Sequence, residues 1–158
     1  MSTLFAEQQA LLAHQLSILA RLEQGIAYSM QRLPATLGLQ DLQQPAIAER
    51  IAALHDRFTK PQDQRAGALR HAHAMLGERY RSFADVVAWA VRVNILPDTA
   101  AWLELRALRN RLTHDYDLEA ESALELIALI RSSVEVLSGI IPRFEASCRE
   151  SGLLPASP

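Results

Sequence analysis

A chain of 158 residues is long enough to bury a core of its own, and its size fits one domain. Nearly half of the residues are hydrophobic and only 6 are glycine, a composition that favours helices and argues against a disordered chain. The net charge of -2 argues against a general nucleic-acid coat protein, and the single cysteine, Cys148, excludes an internal disulfide.

Hydrophobic periodicity predicts two long helices in the first half of the chain. The first covers about residues 4–33, and the second covers about residues 45–79. Proline is poorly tolerated inside a helix, so Pro61 is expected to kink or restart the second one.

Three more helices are predicted in the second half. Ser82 and Asp85 have the spacing of a capping box for a short third helix over residues 83–94. Asp98 is expected to cap a fourth helix over residues 99–116. A fifth runs from about 119 to 147.

The predicted fold class is all-α, an antiparallel four-helix bundle with the short third helix as an accessory. Residues 1–150 would form this single domain, and residues 151–158 a flexible C-terminal tail. Trp89 and Trp102 fall at apolar positions, which predicts core packing or a dimer seam. The stripes predicted to face the core are Leu12, Leu16, Leu19, Ile26, Met30 and Leu33; Ile47, Ile51, Leu54 and Phe58; and Leu124, Ile127, Ile130, Val134, Leu137 and Ile141.

No segment approaches the roughly 20 apolar residues that a membrane span needs, and the N-terminus lacks the features of a signal peptide. We therefore expect a cytoplasmic protein with no membrane partner. The charge is uneven along the chain, with eleven basic and six acidic side chains in residues 50–111. This basic middle either attracts an anionic ligand or pairs with acidic helices of the same fold.

The segment RNRLTHDYD, residues 109–117, concentrates the side chains that can carry chemistry. On a helix, Arg109 and His114 point about 140° apart, whereas Asn110 and His114 share a face. Arg109 and His114 would come together if the helix unwound around Thr113. They would also meet if a second copy faced the first across a two-fold axis, each subunit contributing an Arg and a His.

These residue types suffice for RNA cleavage without a metal. Arg109 offers a planar fork of donors to a phosphate, and His114 can take or return a proton near neutral pH. Asn110 can orient these groups, Arg111 adds positive charge, and Tyr116 can stack on a base or donate to a phosphate oxygen. The alternative without a catalytic role is a polar helix end, since a histidine in the last turn of a helix complements the helix dipole.

The other histidines and the remaining motifs give little indication of function. His71 and His73 point about 200° apart on a helix, so they cannot share a metal ion, and both are expected to be solvated. His14 and His55 are expected to be surface or half-buried groups. A Gly-rich phosphate loop, paired cysteines and an HExxH motif are all missing from the sequence, so we expect no metal and no cofactor.

The motif resembles the signature of the HEPN superfamily, in particular the HepT-like toxins, which reads Arg, usually Asn, three or more residues, His, any residue, Tyr. Arg109, Asn110, His114 and Tyr116 match each fixed place. The similarity extends over about residues 45–118. Further matching positions are Arg57, Phe58, Gln62 and Asp63 on the second helix and Trp102 on the fourth.

The resemblance implies a HEPN-like helical bundle that forms a homodimer, with a metal-independent ribonuclease site between the two motifs. Arg109 and His114 would be catalytic, supported by Asn110, Arg111 and Tyr116. It also implies a toxin–antitoxin pair in which an MNT-family nucleotidyltransferase transfers AMP to Tyr116. The alternative is a non-catalytic partner subunit of a minimal nucleotidyltransferase, binding nucleotide or substrate. A structural adaptor would be favoured if other helices buried Arg109 and His114.

Overall fold

The computed structural model describes residues 2–114 and 119–156. In these two stretches the chain forms five α-helices and no strand, so the prediction of an all-α fold is confirmed. A short 3-10 turn, Leu39–Gln43, lies in the loop between the first two helices. The helices are α1 (Thr3–Gln31), α2 (Pro45–Met75), α3 (Phe83–Arg92), α4 (Thr99–His114) and α5 (Ala120–Glu150).

The four long helices form a ring in the order α1, α2, α4, α5. Helix α1 packs against α2 and α5, α4 packs against the same two helices, and the short α3 rests on α2 and α4. Contacts between α1 and α2 show that they are antiparallel. Arg57 bonds to Ser29 near one end of the pair, and His71 bonds to Gln15 near the other. The predicted bundle with one accessory helix is therefore the observed arrangement.

The core follows the predicted stripes with small shifts. Leu12, Leu54 and Ile130 have no exposed surface. Leu124 and Val134 are only half-buried, because the buried face of α5 is centred on Leu126 and Ile130 instead. Trp89 and Trp102 are 2% and 3% exposed, which places both in the core of the single subunit.

Both predicted caps are present at the starts of α3 and α4. The Asp85 carboxylate accepts hydrogen bonds from the backbone N–H groups of Arg81 at 2.6 Å and Ser82 at 3.4 Å. The Asp98 carboxylate accepts one from the N–H of Ala101 at 2.7 Å. These bonds satisfy donors that the first turn of a helix leaves without partners. The start of α4, the helix that carries the motif, is thus fixed.

Proline does not restart the second helix. Helix α2 runs unbroken through Pro61, which is buried together with Gln62 and Arg65. The pyrrolidine ring of Pro61 removes a backbone hydrogen-bond donor and crowds the preceding turn, so an isolated helix would be unstable at this point. Burial of this segment against α1 and α4 outweighs that local cost.

The prediction of a flexible tail over residues 151–158 does not hold for the first residues of that segment. After α5 the chain turns at Gly152, whose positive φ of 74° suits a residue without a side chain. The N–H groups of Leu153 and Leu154 then donate to the carbonyl of Cys148, and both leucines are buried. The apolar pair anchors the C-terminal segment to the bundle.

Candidate functional site

Arg109 of α4 is held by a carboxylate from α2. Its Nη2 atom lies 2.8 Å from Oδ2 of Asp63, and its Nη1 atom donates to Oδ1 of Asn110 at 3.2 Å. The Asp63 side chain is 76% exposed and the Arg109 side chain 27% exposed. An ion pair this open to water is worth little free energy, so it orients Arg109 without sequestering it. The Nε atom of Arg109 is buried and has no hydrogen-bond partner in the described part of the chain.

A pocket of about 280 Å³ opens beside this ion pair, between α2, α4 and the start of α3. We call it the Arg109 pocket. Arg70, Arg106 and Arg109 line it together with one acid, Asp63, and the rings of Phe83 and Trp102 form its apolar part. The guanidinium of Arg70 stacks over Phe83, 5.2 Å from the ring centroid. The pocket is therefore positively charged and partly aromatic, a combination that suits a phosphate attached to a planar base.

Arg70 and Arg106 were missed by sequence reasoning. Arg106 precedes Arg109 by three residues, and Arg70 follows Asp63 by seven, so each shares a helix face with a motif or ion-pair residue. This spacing alone is a weak signal in a chain with many arginines. The packing of α2 against α4 is what brings Arg70 and Arg106 to the same pocket.

A buried ion pair supports the α2 side of the Arg109 pocket. Arg65 is 1% exposed and bonds through Nε and Nη2 to Oε1 of Glu23, at 2.9 and 2.6 Å. Its Nη1 atom donates to Oε1 of Gln62 at 3.0 Å, which sets the orientation of that amide. Burial lowers the pKa of the Arg65 guanidinium, and the charge of Glu23 opposes the shift. Gln62 lines the Arg109 pocket, so α1 reaches the site through this chain of contacts.

His114 is the last residue of α4 and is exposed, while Arg111 lies 3.7 Å from Glu125 of α5. Helix α4 stays helical through His114, and the Thr113 hydroxyl donates to the Arg109 carbonyl at 2.9 Å. The unwinding around Thr113 considered from the sequence therefore does not occur. Arg109 and Asn110 are brought together, whereas the regular helix leaves His114 about 140° around from Arg109 and on the same face as Asn110. Tyr116 lies outside the described residues.

The other histidines differ in part from expectation. His73 is 2% exposed and packs edge-on against Trp89, so the prediction that it is solvated is wrong. The ring nitrogens of His71 lie 2.7 and 2.5 Å from the side-chain oxygens of Gln15 and Gln8 on α1. Partial burial lowers the pKa of His71 and also that of His55. His55 is half-buried, as expected.

The described stretches contain no cluster of three side chains able to hold a metal ion, and no helix in them could cross a membrane. His114 is exposed and the Arg109 side chain is 27% exposed, so the other helices do not bury both residues, and the condition that would favour a purely structural adaptor is not met.

Comparisons of the chain with protein-family models, curated proteins and solved structures give no match. The resemblance to the HEPN superfamily accordingly rests on the matching positions in the sequence.

Proposed function

We propose that the chain is a metal-independent ribonuclease of the HepT type, a cytoplasmic toxin that acts as a homodimer. In this reaction a ribose 2′-oxygen attacks the adjacent phosphorus and loses its proton, while the bond from phosphorus to the 5′-oxygen breaks. His114 takes the proton from the 2′-hydroxyl or gives one to the leaving 5′-oxygen, and Arg109 stabilises the charge on the phosphate oxygens. Asn110 orients Arg109, and Arg111 adds to the positive field.

The observation that best supports the proposal is the way in which Asp63 holds Arg109. A guanidinium that binds a scissile phosphate must be oriented before the substrate arrives and must be able to exchange its partner. Asp63 meets both needs, because it lies 2.8 Å from Arg109 and is itself 76% exposed. An incoming phosphate can replace this carboxylate at little cost.

The direction of His114 favours a site shared by two subunits. With α4 regular to its last residue, Arg109 and His114 of one chain diverge by about 140°. A two-fold axis beside α4 would let the His114 of one subunit approach the Arg109 of the other. His114 is exposed and Arg109 is partly exposed, which supports such a contact with a second subunit.

We further propose that an MNT-family nucleotidyltransferase is the antitoxin and transfers AMP to Tyr116. In the sequence, Tyr116 lies two residues beyond His114. An added phosphodiester there would carry a negative charge that competes with RNA for Arg109 and Arg111.

The activity can be tested with purified protein and RNA in the presence of EDTA. We expect the wild-type chain to cleave, and His114→Ala and Arg109→Ala to lose activity by at least about a hundredfold, the contribution usual for an acid–base or charge-stabilising group. His14→Ala and Arg79→Ala are matched controls, because both residues are exposed and lie outside α4. Equal cleavage by the wild-type and His114→Ala proteins would overturn the proposal.

A second function is favoured by the Arg109 pocket itself. Three arginines beside Phe83 and Trp102 would also suit a subunit that binds nucleotide or substrate for a nucleotidyltransferase without catalysis. Growth arrest on expression of the chain alone, relieved by Arg109→Ala, is expected only of the toxin. Mass measurement after co-expression with the nucleotidyltransferase gives a second test: an AMP adduct on Tyr116 supports the toxin pair, and an unmodified complex supports the binding subunit.

A further inference from the structure

A second hollow lies between the C-terminal end of α1 and the N-terminal half of α2, with a volume of about 460 Å³. Arg50 and Arg57 line it, and they are about 120–140° around α2 from Asp63. The hollow therefore opens on a different side of α2 from the Arg109 pocket. The small side chains of Ala46 and Ala53 leave its space free.

Three arginines, Arg32, Arg50 and Arg57, surround this hollow. In the part of the chain that the structure describes, none of the three has a carboxylate within ion-pair distance. The lining includes one acid, Glu49. Three guanidinium groups without a paired counter-charge leave a local excess of positive charge in a protein whose net charge is negative.

Hydrogen bonds to the protein fix two of these arginines. Nη1 of Arg57 donates to Oγ of Ser29 at 2.8 Å and to the carbonyl of Gly25 at 3.3 Å, and Ser29 is 3% exposed. Nη1 of Arg50 donates to the carbonyl of Arg32 at 3.2 Å. Each bond uses one nitrogen of the fork, so further donors stay available to an anion.

An aromatic ring stands in the same hollow. Tyr28 is 50% exposed, and the guanidinium carbons of Arg32 and Arg57 lie 5.5 and 5.4 Å from its ring centroid. Nη1 of Arg32 also donates to the Tyr28 hydroxyl at 3.0 Å. The ring is thus held in place by the two arginines, and its exposed half can contact a planar group.

We propose that this hollow, the α1–α2 arginine pocket, binds a nucleoside phosphate. The phosphate would lie among Arg32, Arg50 and Arg57, and the base against Tyr28. The volume falls in the range of pockets that take small ligands. The ligand is either a free nucleotide or a nucleotide within an RNA chain, for which the adjoining groove past Arg21 and Lys60 gives a continuation. The site is separate from the proposed ribonuclease site and does not depend on that activity.

Binding can be measured by titration calorimetry with inorganic phosphate, AMP, and a 5′-phosphorylated oligonucleotide that is fully 2′-O-methylated. The methylated chain has no free 2′-hydroxyl, so binding is read independently of cleavage. We expect Arg32→Gln/Arg50→Gln to weaken binding of the preferred probe by about tenfold or more. Tyr28→Ala should weaken the nucleotide probes by about tenfold but leave inorganic phosphate unchanged. Arg79→Gln/Arg81→Gln removes the same charge beyond the far end of α2 and should bind as the wild type does.

AMP binding that is lost in the double variant identifies a free nucleotide as the ligand, and binding of the oligonucleotide alone identifies RNA. The exposed Arg32→Gln single variant, with a smaller loss, replaces the double variant if that protein does not fold. The proposal is overturned if no probe binds, or if the pocket variants bind as tightly as Arg79→Gln/Arg81→Gln.

Discussion

At the scale of single residues, the ion pair between Arg109 and Asp63 serves two opposed needs. The carboxylate orients the guanidinium at 2.8 Å, but it also competes with any anion for the same donors. Because Asp63 is largely exposed, its contribution to the stability of the fold is small. We therefore expect its main effect to be on the binding of an anionic ligand.

Asp63→Asn should therefore tighten RNA binding. The amide keeps a hydrogen-bond acceptor near Arg109 and removes the negative charge, so we expect the dissociation constant to fall by about two- to fivefold, equivalent to less than about 1 kcal/mol. The measurement is fluorescence anisotropy with RNA in EDTA, in a His114→Ala background that prevents cleavage. Glu78→Gln, which breaks the exposed pair with Arg92, is the matched control. Weaker binding by Asp63→Asn would show that the carboxylate serves the site in another way.

The pair of Arg65 and Glu23 differs from this one because it is buried. Glu23→Gln leaves the Arg65 charge in the core without its counter-charge, and we expect a loss of about 3 kcal/mol in the free energy of unfolding. Denaturation in urea measures it. Asp56→Asn breaks an exposed pair with Lys60 and should cost less than about 1 kcal/mol. Similar losses in the two variants would contradict the role assigned to burial.

Burial of His55 predicts a dependence of stability on pH. Its pKa is lowered from 6.5 by desolvation, so below pH 6.5 the unfolded chain binds more protons than the folded one. Stability should fall as the pH drops from 6.5 towards the lower folded pKa, by at most about 1.4 kcal/mol per pH unit for this group. His55→Leu should reduce the slope measured by denaturation between pH 7.5 and 5, whereas His14→Leu, at an exposed position, should not. An unchanged slope in His55→Leu would refute the prediction.

Burial of individual polar residues was the hardest property to predict from the sequence. His73 looks like a surface residue on an amphipathic helix, yet it packs against Trp89 of α3. Arg70 and Arg106 become site residues only because α2 and α4 are neighbours. Such contacts depend on which helices meet, and a periodic pattern within one helix does not contain that information.

At the scale of helices, the sequence predicted those features that depend only on residues close together in the chain, such as helix caps. Asp85 and Asp98 were identified as capping residues from the sequence. Asp85 accepts bonds from the N–H groups of the two residues before α3, and Asp98 accepts one from the first turn of α4. Pro61 does not restart α2, and the predicted flexible tail begins with two buried leucines, because distant residues decide the conformation at both places. Packing keeps α2 continuous through Pro61 and buries Leu153 and Leu154.

The cap at Asp98 gives the prediction that belongs to this scale. Asp98→Ala removes the acceptor for the Ala101 N–H and should cost about 1 kcal/mol in the free energy of unfolding. Asp98→Asn can still accept this bond and should lose less. Urea denaturation of the three proteins, with cleavage assayed beside it, separates stability from activity. Equal stability of the alanine variant and the wild type would mean that the cap contributes nothing to α4.

At the scale of the whole molecule, the ring of four helices separates the two arginine-rich hollows. The Arg109 pocket lies between α2 and α4, and the α1–α2 arginine pocket lies on the other side of α2. The fold class followed from helix periodicity and loop lengths, but the order of helices around the ring did not. That order places the positive middle of the sequence on two surfaces instead of one.

The homodimer proposed for the ribonuclease makes a prediction that only an assembled molecule can test. Suppose that Arg109 of one subunit works with His114 of the other. A heterodimer of one Arg109→Ala chain and one His114→Ala chain then retains one complete site, and its other site lacks both groups. Random pairing makes about half of all dimers heterodimers, so the mixture should recover about a quarter of wild-type activity.

The two variants are co-expressed with different affinity tags, and the doubly tagged species is purified and assayed on RNA in EDTA. Each variant expressed alone serves as the inactive control. A purified heterodimer should then show about half of the wild-type activity, since one of its two sites is intact. An inactive heterodimer would mean that Arg109 and His114 of the same chain act together, or that all four groups are needed at once, and either result would refute the shared site in this form. The regular geometry of α4 through His114 is the reason to expect recovery.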